Sequence, residues 1–139
     1  MNIYKNAINS IKVGVEDYTL SKKDAKRAIS AVRNIVAGIL LLYKEKLCLL
    51  SPDHDKELLI KQDISFIYEN DELVIKGTGK NTVNSVEISK RFKDLNISVD
   101  WETFKEINQL RNNLEHYYTE IVWPPFLGTP FSGMIWILS

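Results

Sequence analysis

The stretch that decides the fold class is A-V-R-N-I-V-A-G-I-L-L-L-Y-K-E-K-L, residues 31–47. Its apolar residues recur three and four positions apart, which is the spacing of one face of an α-helix. Ser21 and Asp24 upstream resemble a capping box with Asp in place of Glu. Pro52 downstream cannot continue a helix, because it has no N–H to donate. We therefore predict a long amphipathic helix from the capping box to Leu50.

The same helical spacing recurs on both sides of this segment. It predicts a first helix over residues 3 to about 18. It also predicts a second strong helix, from an N-cap at Asp100 to about residue 120. Asn84 and Glu87 resemble a further capping box, which predicts a short helix ending near residue 95.

The chain between the two strong helices is rich in strand-forming residues. The segments L-L-I-K, I-S-F-I-Y and L-V-I-K-G flank the polar turn E-N-D-E, and this arrangement predicts a hairpin. We place the hairpin between about Leu58 and Gly77, within an insert at about 55–83, and expect Gly77 and Gly79 to mark a loop. The predicted fold class is mainly α, with a small β-hairpin insert between the two long helices.

Composition excludes several classes of function. The 18 Lys and Arg residues balance the 18 Asp and Glu residues, so net charge gives no argument for bulk binding of nucleic acid or membrane. Cys48 is the only cysteine, which rules out an internal disulfide and fits a reducing compartment. The first ten residues lack the apolar core of a secretory signal, and no stretch approaches the roughly 20 apolar residues of a membrane span. We expect a cytoplasmic protein.

The segment K-G-T-G-K-N-T, residues 76–82, resembles a phosphate-binding loop only superficially. A P-loop needs Gly, four residues and then Gly-Lys-Ser/Thr, but Val74 and Asn81 occupy two of these positions. No ligands at metal-binding spacing accompany His54, so we expect neither a metal nor a cofactor. Four basic residues in this region are either RNA contacts or solvated surface: Lys76, Lys80, Lys90 and Arg91.

The segment N-Q-L-R-N-N-L-E-H-Y-Y-T, residues 108–119, carries one of the two histidines of the chain. On a helix, Arg111 and His116 lie about 140° apart around the axis and about 7.5 Å apart along it. Ordinary helix chemistry explains such a set. Arg111 and Glu115 are spaced for an i,i+4 ion pair, and His116 suits the rim of an apolar core.

The same residues also suit cleavage of a phosphodiester without a metal. Such cleavage needs a proton acceptor and donor near neutral pH, for which His116 is suited. It also needs a fixed cation for the charge that builds on phosphorus, for which Arg111 is suited, and Asn112 can orient either group. Two copies of this helix meeting across a two-fold axis would line one cleft with two such sets. The dipeptide Arg33-Asn34 repeats the first two residues on the long helix, and we interpret it as structural.

The pattern Arg-Asn-x-x-x-His late in a helix is similar to the motif of the HEPN superfamily (higher eukaryotes and prokaryotes nucleotide-binding). Residues 31–47 and 99–118 also resemble helices of bacterial HEPN proteins, and the likeness covers about residues 1–120. The resemblance implies an antiparallel helical bundle and a homodimer. It implies a metal-independent endoribonuclease of a toxin–antitoxin or antiphage defence system, in which the ribose 2′-hydroxyl attacks the adjacent phosphate. The catalytic residues that it implies are Arg111, Asn112 and His116.

One HEPN subgroup extends the motif to Arg-x4-His-x-Tyr and pairs with a small nucleotidyltransferase antitoxin that adenylylates the tyrosine. Tyr118 stands at that position, so the resemblance implies such an antitoxin as a partner besides RNA. Residues 121–139 depart from the family pattern, because a proline-broken apolar tail follows the motif helix. This tail belongs to the same domain or binds a partner. Some members have no nuclease activity, so the alternative is a non-catalytic HEPN-fold module that binds nucleotides or proteins.

Overall fold

The computed structural model of the chain describes residues 2–24 and 26–117, with side chains through Leu114. This part of the chain is mainly helical and contains a two-stranded antiparallel sheet. Its helices are α1 (Ile3–Leu20), α2 (Lys26–Leu50), α3 (Ser85–Asp94) and α4 (Trp101–Tyr117), and its strands are β1 (Lys61–Glu69) and β2 (Glu72–Thr82). The predicted class, mainly α with a hairpin between two long helices, is confirmed.

Contacts within the chain define two compact units. Of the described residues, the first unit holds 2–24, 26–41 and 98–117, and the second is Leu42–Ile97. Helix α2 therefore contributes residues to each unit. The predicted tail, residues 121–139, lies outside the described residues.

The first unit contains a close contact between α1 and α2. A Cβ added to Gly14 would lie 2.6 Å from Cγ1 of Ile35 and 3.0 Å from its backbone nitrogen. A Cβ added to Gly38 would lie 2.5 Å from Cγ1 of Ile11 and 3.0 Å from the carbonyl oxygen of Ala7. Because early residues of α1 meet late residues of α2, the two helices are antiparallel. Glycine at both positions lets the two backbones approach this closely.

A buried carboxylate joins the other end of the same pair of helices. Asp17, on α1, accepts a hydrogen bond from the Ser30 hydroxyl at 2.5 Å and one from the Arg27 guanidinium at 3.2 Å. The Asn34 amide in turn donates to the Ser30 hydroxyl at 3.2 Å and to its carbonyl oxygen at 2.9 Å. Each carboxylate oxygen of Asp17 has a donor, which offsets the cost of burying it.

The second unit packs its helical part around two rings. Tyr43 and Phe92 are buried and meet edge to face, with ring centroids 5.4 Å apart. The predicted capping box of α3 is confirmed, since Asn84 and Glu87 each accept the backbone N–H of the other. The helix ends where Asn96 takes the left-handed conformation, with φ at 58°.

The hairpin closes through a tight turn at the predicted polar segment. Asn70 and Asp71 have φ values of 53° and 64°, the pair of positive angles that a type I′ turn requires. Gly79 has φ at 77°, and it lies where the register shifts between the Lys61–Thr82 and Asp63–Thr78 pairs. The prediction that the glycines mark a loop is wrong. A glycine inside a strand can mark a bulge, and β2 continues through both of them to Thr82.

The predicted start of α2 also needs correction. Ser21 ends α1 instead of beginning a capping box, because its hydroxyl donates to the carbonyl oxygen of Tyr18 at 2.6 Å. The Asp24 carboxylate accepts a hydrogen bond from the backbone N–H of Lys26 at 3.1 Å, so Asp24 supports the start of α2 without Ser21. The helix itself and its end at Leu50 are confirmed.

Candidate functional site

Helix α4 begins at a well-defined cap. The Asp100 carboxylate accepts from the Thr103 hydroxyl at 2.6 Å and from the Thr103 backbone N–H at 3.1 Å, as the predicted N-cap should. The hydroxyl hydrogen bond, followed by the backbone one, lowers the pKa of Asp100. This cap fixes the residue at which the helix starts.

Three apolar side chains define the inward face of α4. Phe104, Ile107 and Leu114 are each almost completely buried. Arg111 follows Phe104 by seven residues and Ile107 by four, so it lies on the same stripe of the helix. The candidate catalytic arginine therefore leaves the helix on its apolar side, and its side chain is half-buried.

The Arg111 guanidinium is only partly satisfied by hydrogen bonds. Its Nη2 donates to Oδ1 of Asn112 at 3.3 Å, so the structure brings these two predicted site residues together. Its Nε is buried and has no partner among the described residues. The side-chain oxygen of Asn108, one turn earlier, is buried and unpaired in the same way. An unsatisfied buried polar atom costs about 1–3 kcal/mol, so two of them on one helix call for an explanation.

Asn108 is the residue that the motif did not single out. It precedes Asn112 by four residues, and Asn112 precedes His116 by four, so all three lie on one stripe of α4. This spacing is the feature of the sequence that could have indicated Asn108 as a site residue. The sequence does not show that the Asn108 oxygen is buried, because burial depends on the neighbours that the fold supplies.

The remaining predicted motif residues lie at or beyond the end of the described residues. His116 is within α4, but its side chain and that of Glu115 are outside the described residues. Tyr118 is also outside them. The Arg111–Glu115 ion pair, the role of His116 and the modification of Tyr118 therefore stay predictions.

A surface groove of about 620 Å³ runs along α4. Asn108 lines it together with Glu102, Lys105, Glu106 and Asn113, whereas Arg111 and Asn112 do not. Two carboxylates against one ammonium give this groove a poor match to a polyanion such as RNA. We therefore do not assign the phosphates of an RNA substrate to this groove.

The basic residues proposed for RNA contact all belong to the second unit, and two of them have structural contacts. Lys76 pairs with Glu69 at 3.2 Å, and Arg91 donates from Nη1 to the carbonyl oxygen of Leu59 at 2.6 Å. Lys80 and Lys90 are exposed. RNA contact by any of the four stays a prediction.

Three other polar or reactive side chains, those of Asn34, His54 and Cys48, have environments that are typical of structural roles. The Asn34 amide belongs to the Ser30 network, in agreement with a structural interpretation of the second Arg-Asn dipeptide. His54 has Nε2 2.9 Å from the carbonyl oxygen of Ile75. Burial raises the pKa of the Cys48 thiol, and the carboxylates of Glu45 and Glu57 raise it further. A thiol with a raised pKa is a poor nucleophile.

Comparison with known proteins finds no match of this chain to a family model, a curated protein or a solved structure. Along the described part of the chain, no helix has both the length and the apolar character needed to cross a membrane. Within that same part, His, Cys, Asp and Glu side chains do not gather in a group of three or more around a possible metal position. The geometry of α4 is therefore the basis for a functional proposal.

Proposed function

We propose that this protein is a HEPN-type, metal-independent endoribonuclease of a toxin–antitoxin or antiphage defence system. Its site would be composite, formed where two copies of α4 meet in a homodimer within an antiparallel helical bundle. The catalytic set would be Arg111, Asn112 and His116. An antitoxin of the nucleotidyltransferase type, acting on Tyr118, would be a further partner.

The observation that carries the proposal is the state of Arg111. Among the described residues, the Arg111 Nε is buried without a partner and its Nη2 is held by the next residue, so the guanidinium is oriented but not fully paired by them. A structural arginine is normally paired when buried. An arginine that stabilises a phosphoryl transition state must instead keep donors available for oxygens that arrive with the substrate.

In the proposed reaction, the ribose 2′-oxygen attacks the adjacent phosphorus. The bond from phosphorus to O2′ forms and the bond to O5′ breaks, which leaves a 2′,3′-cyclic phosphate and a 5′-hydroxyl. The proton of the 2′-hydroxyl passes to one imidazole, and the departing O5′ receives a proton, so two His116 side chains of a dimer would serve as base and acid. Arg111 would stabilise the charge on the phosphoryl oxygens.

Asn108 and Asn112 would act as positioning residues in this site. The Asn112 oxygen holds Nη2 of Arg111, which leaves the planar fork with one preferred orientation. The unpaired oxygen of Asn108 is an acceptor, and it suits a 2′-hydroxyl donor or a bridging water.

The test is incubation of the purified protein with structured and single-stranded RNA in EDTA. Cleavage with cyclic phosphate ends is expected from the wild type, and loss of cleavage from Arg111→Ala and from His116→Ala. Arg33→Ala and His54→Ala are matched controls, since they remove the other Arg of an Arg-Asn dipeptide and the other histidine. Equal cleavage by all four variants would eliminate the proposal.

A second pair of variants tests the positioning role. Asn108→Ala is expected to slow cleavage on the order of tenfold to a hundredfold, because misplacement of a reacting group costs about that much. Asn113 is the control, because its side-chain oxygen accepts a hydrogen bond from the Gln109 amide. Asn113→Ala is expected to keep wild-type cleavage. Intact RNA with wild-type protein, combined with tight binding of a nucleotide or a protein, would favour the non-catalytic module.

A further inference from the structure

The surface groove along α4, which we call the α4 groove, has a central stripe and two flanks. Its central stripe consists of four residues that follow one another by steps of four, three and four along the helix: Glu102, Glu106, Gln109 and Asn113. Lys105 and Asn108 lie on one flank of this stripe, and Leu110 lies on the other. The groove therefore has a polar flank, an apolar flank and a polar floor.

Asn108 connects the α4 groove to the candidate catalytic residues. It precedes Arg111 by three residues and Asn112 by four, so both are its neighbours on the surface of the helix. On this side of the helix, Asn108 lies between the central stripe and Arg111. A nucleotide that lies across α4 with its phosphate at Arg111 would therefore have its ribose near Asn108 and its base over the central stripe.

One carboxylate of the α4 groove is left without a cation. Lys105 pairs with Glu102, with Nζ 3.4 Å from Oε1. Glu106 is exposed and forms neither a hydrogen bond nor an ion pair with any described residue. Like charges four residues apart, such as Glu102 and Glu106, destabilise a helix. The stability of α4 alone therefore does not favour a second carboxylate at this position.

A second acceptor of the α4 groove is the side-chain oxygen of Asn108. It is buried and has no partner among the described residues. Two other amides of the groove pair with each other, because Gln109 Nε2 donates to Asn113 Oδ1 at 3.0 Å. The groove therefore offers a carboxylate and an amide oxygen to a ligand, and both atoms accept hydrogen bonds from N–H or O–H groups.

The RNA base that matches an unpaired carboxylate is guanine. An ionised carboxylate only accepts hydrogen bonds, and it can accept two at once through its two oxygens. The Watson–Crick edge of guanine has two adjacent donors, the N1–H and the N2 amino group, and single-stranded RNA exposes this edge to proteins. Adenine, cytosine and uracil place an acceptor next to each donor on the same edge, and a carboxylate repels such an acceptor.

A basic side chain of a partner protein fits the α4 groove less well than guanine does. Lysine and arginine also carry N–H donors, but they would bring a positive charge close to Lys105 on the flank and to Arg111 beyond Asn108. Like charges in proximity oppose binding. Guanine brings its donors without a net charge, and its flat face can pack against the half-buried Leu110.

We propose that the α4 groove recognises a guanine base, that of the nucleotide whose 2′-hydroxyl attacks the phosphate. The inference rests on the proposed action of α4 on RNA, and it adds the base specificity of that site. Glu106 is the specificity-determining residue, because its carboxylate accepts from the N1–H and from the N2 amino group. Asn108 accepts from the ribose 2′-hydroxyl of the same nucleotide. Cleavage is therefore expected on the 3′ side of guanosine.

The first test is cleavage, in EDTA, of single-stranded oligoadenylate RNAs that differ only in one central nucleotide, which is guanosine, inosine or adenosine. Inosine keeps the N1–H of guanosine but lacks the N2 amino group. Cleavage is expected to be about tenfold slower at inosine than at guanosine, and about a hundredfold slower at adenosine. Fully 2′-deoxy versions have no attacking hydroxyl, so fluorescence anisotropy with them measures the base preference of binding alone.

The second test compares two variants that keep the shape of the side chain. Glu106→Gln replaces one acceptor oxygen with a donor amide, so the preference for guanosine over inosine is expected to fall from about tenfold to about twofold or less. A merely structural role of Glu106 would slow both substrates equally and leave this ratio unchanged. Glu16→Gln is the control, because Glu16 is an exposed carboxylate on α1, and it is expected to keep the wild-type ratio.

Several outcomes would overturn the guanine site. Cleavage by the wild type without preference for guanosine would reject it and keep the nuclease proposal. An unchanged ratio of guanosine to inosine cleavage in Glu106→Gln would also reject it. If neither cleavage nor binding depends on the base, but an oligolysine peptide binds the wild type and not Glu106→Gln, the groove is a protein-docking surface instead.

The binding measurement separates this inference from the nuclease proposal. Wild-type protein that leaves every RNA intact, yet binds the 2′-deoxy oligonucleotide with guanine most tightly and loses this preference in Glu106→Gln, would reject the nuclease proposal and keep the guanine site. Intact RNA together with binding that ignores the base would reject both.

Discussion

The buried carboxylate between helices α1 and α2 has hydrogen-bond partners for both of its oxygens. On α4, two buried polar atoms have no partner among the described residues. Between α1 and α2, Gly14 and Gly38 lack the Cβ atoms that would collide with the facing helix, and both oxygens of Asp17 have donors. On α4, Arg111 and Asn108 each bury a polar atom without a partner among the described residues. The arrangement between α1 and α2 stabilises the folded protein. The arrangement on α4 lowers its stability, and such unfavourable arrangements cluster at sites that bind another molecule.

The largest expected effect is at the α1–α2 contact. Gly38→Val should lower the free energy of unfolding by about 3 kcal/mol, because a branched side chain meets Ile11 and the Ala7 carbonyl oxygen at once. Urea denaturation measures it. Ala37→Val is the matched control, since Ala37 is exposed on the same helix and should lose only about 0.5 kcal/mol. Equal losses in both variants would mean that the helices are not in close contact at Gly38.

The second effect concerns the buried carboxylate of the same pair. Asp17→Asn should lower the free energy of unfolding by about 1–3 kcal/mol, because an amide cannot accept from both Ser30 and Arg27 through two oxygens. Glu16→Gln, an exposed neighbour, should stay within about 0.5 kcal/mol of wild type. A comparable loss at Glu16 would point to a general charge effect along α1 instead.

The third prediction concerns α4, where a substitution should raise the free energy of unfolding instead of lowering it. Arg111→Met should raise the free energy of unfolding by up to about 1 kcal/mol, because it replaces a buried donor that has no partner among the described residues with an apolar chain of similar length. Lys105→Met removes an exposed cation from the same helix and should change stability by less than about 0.5 kcal/mol. A clear loss of stability in Arg111→Met would show that Arg111 is structural, and the contrast with α1–α2 would disappear.

The smallest effect is a pH dependence at the start of α4. Because the pKa of Asp100 is lowered in the folded protein, its ionised form adds stability above the unfolded pKa of about 3.9, and this is lost as pH falls through the folded value. Asp100→Ala should therefore destabilise the protein more at pH 6 than in strong acid. Urea midpoints at the two pH values measure this, and a difference that ignores pH would refute it.

Local patterns predicted the elements of the fold well. The apolar stripe of α2, the Asn84 capping box, the Asp100 cap and the polar hairpin turn each depend on residues close in sequence, and all are confirmed. Ser21 was misassigned for a physical reason. A serine hydroxyl can accept at a helix start or donate to a carbonyl oxygen at a helix end, and local sequence does not distinguish the two.

Features that need two distant segments were not predictable in the same way. Nothing local marks Gly14 and Gly38 as facing Ile35 and Ile11, since glycine inside a helix alone predicts only instability. The state of the Asn108 oxygen likewise depends on what surrounds α4 in the folded chain. The sequence indicates which residues belong to the candidate site, whereas the burial of the Arg111 Nε is a consequence of packing.

The division of the chain into two units has a consequence for its synthesis. The second unit is one unbroken segment, Leu42–Ile97, whereas the first needs residues from both sides of it. A ribosome therefore completes the hairpin and α3 about one to four seconds before it has made α4. During that interval α1 and the first part of α2 exist without α4, and the arginine of the candidate site is among the last described residues to join them. A nascent chain would thus have its hairpin before it has its motif helix.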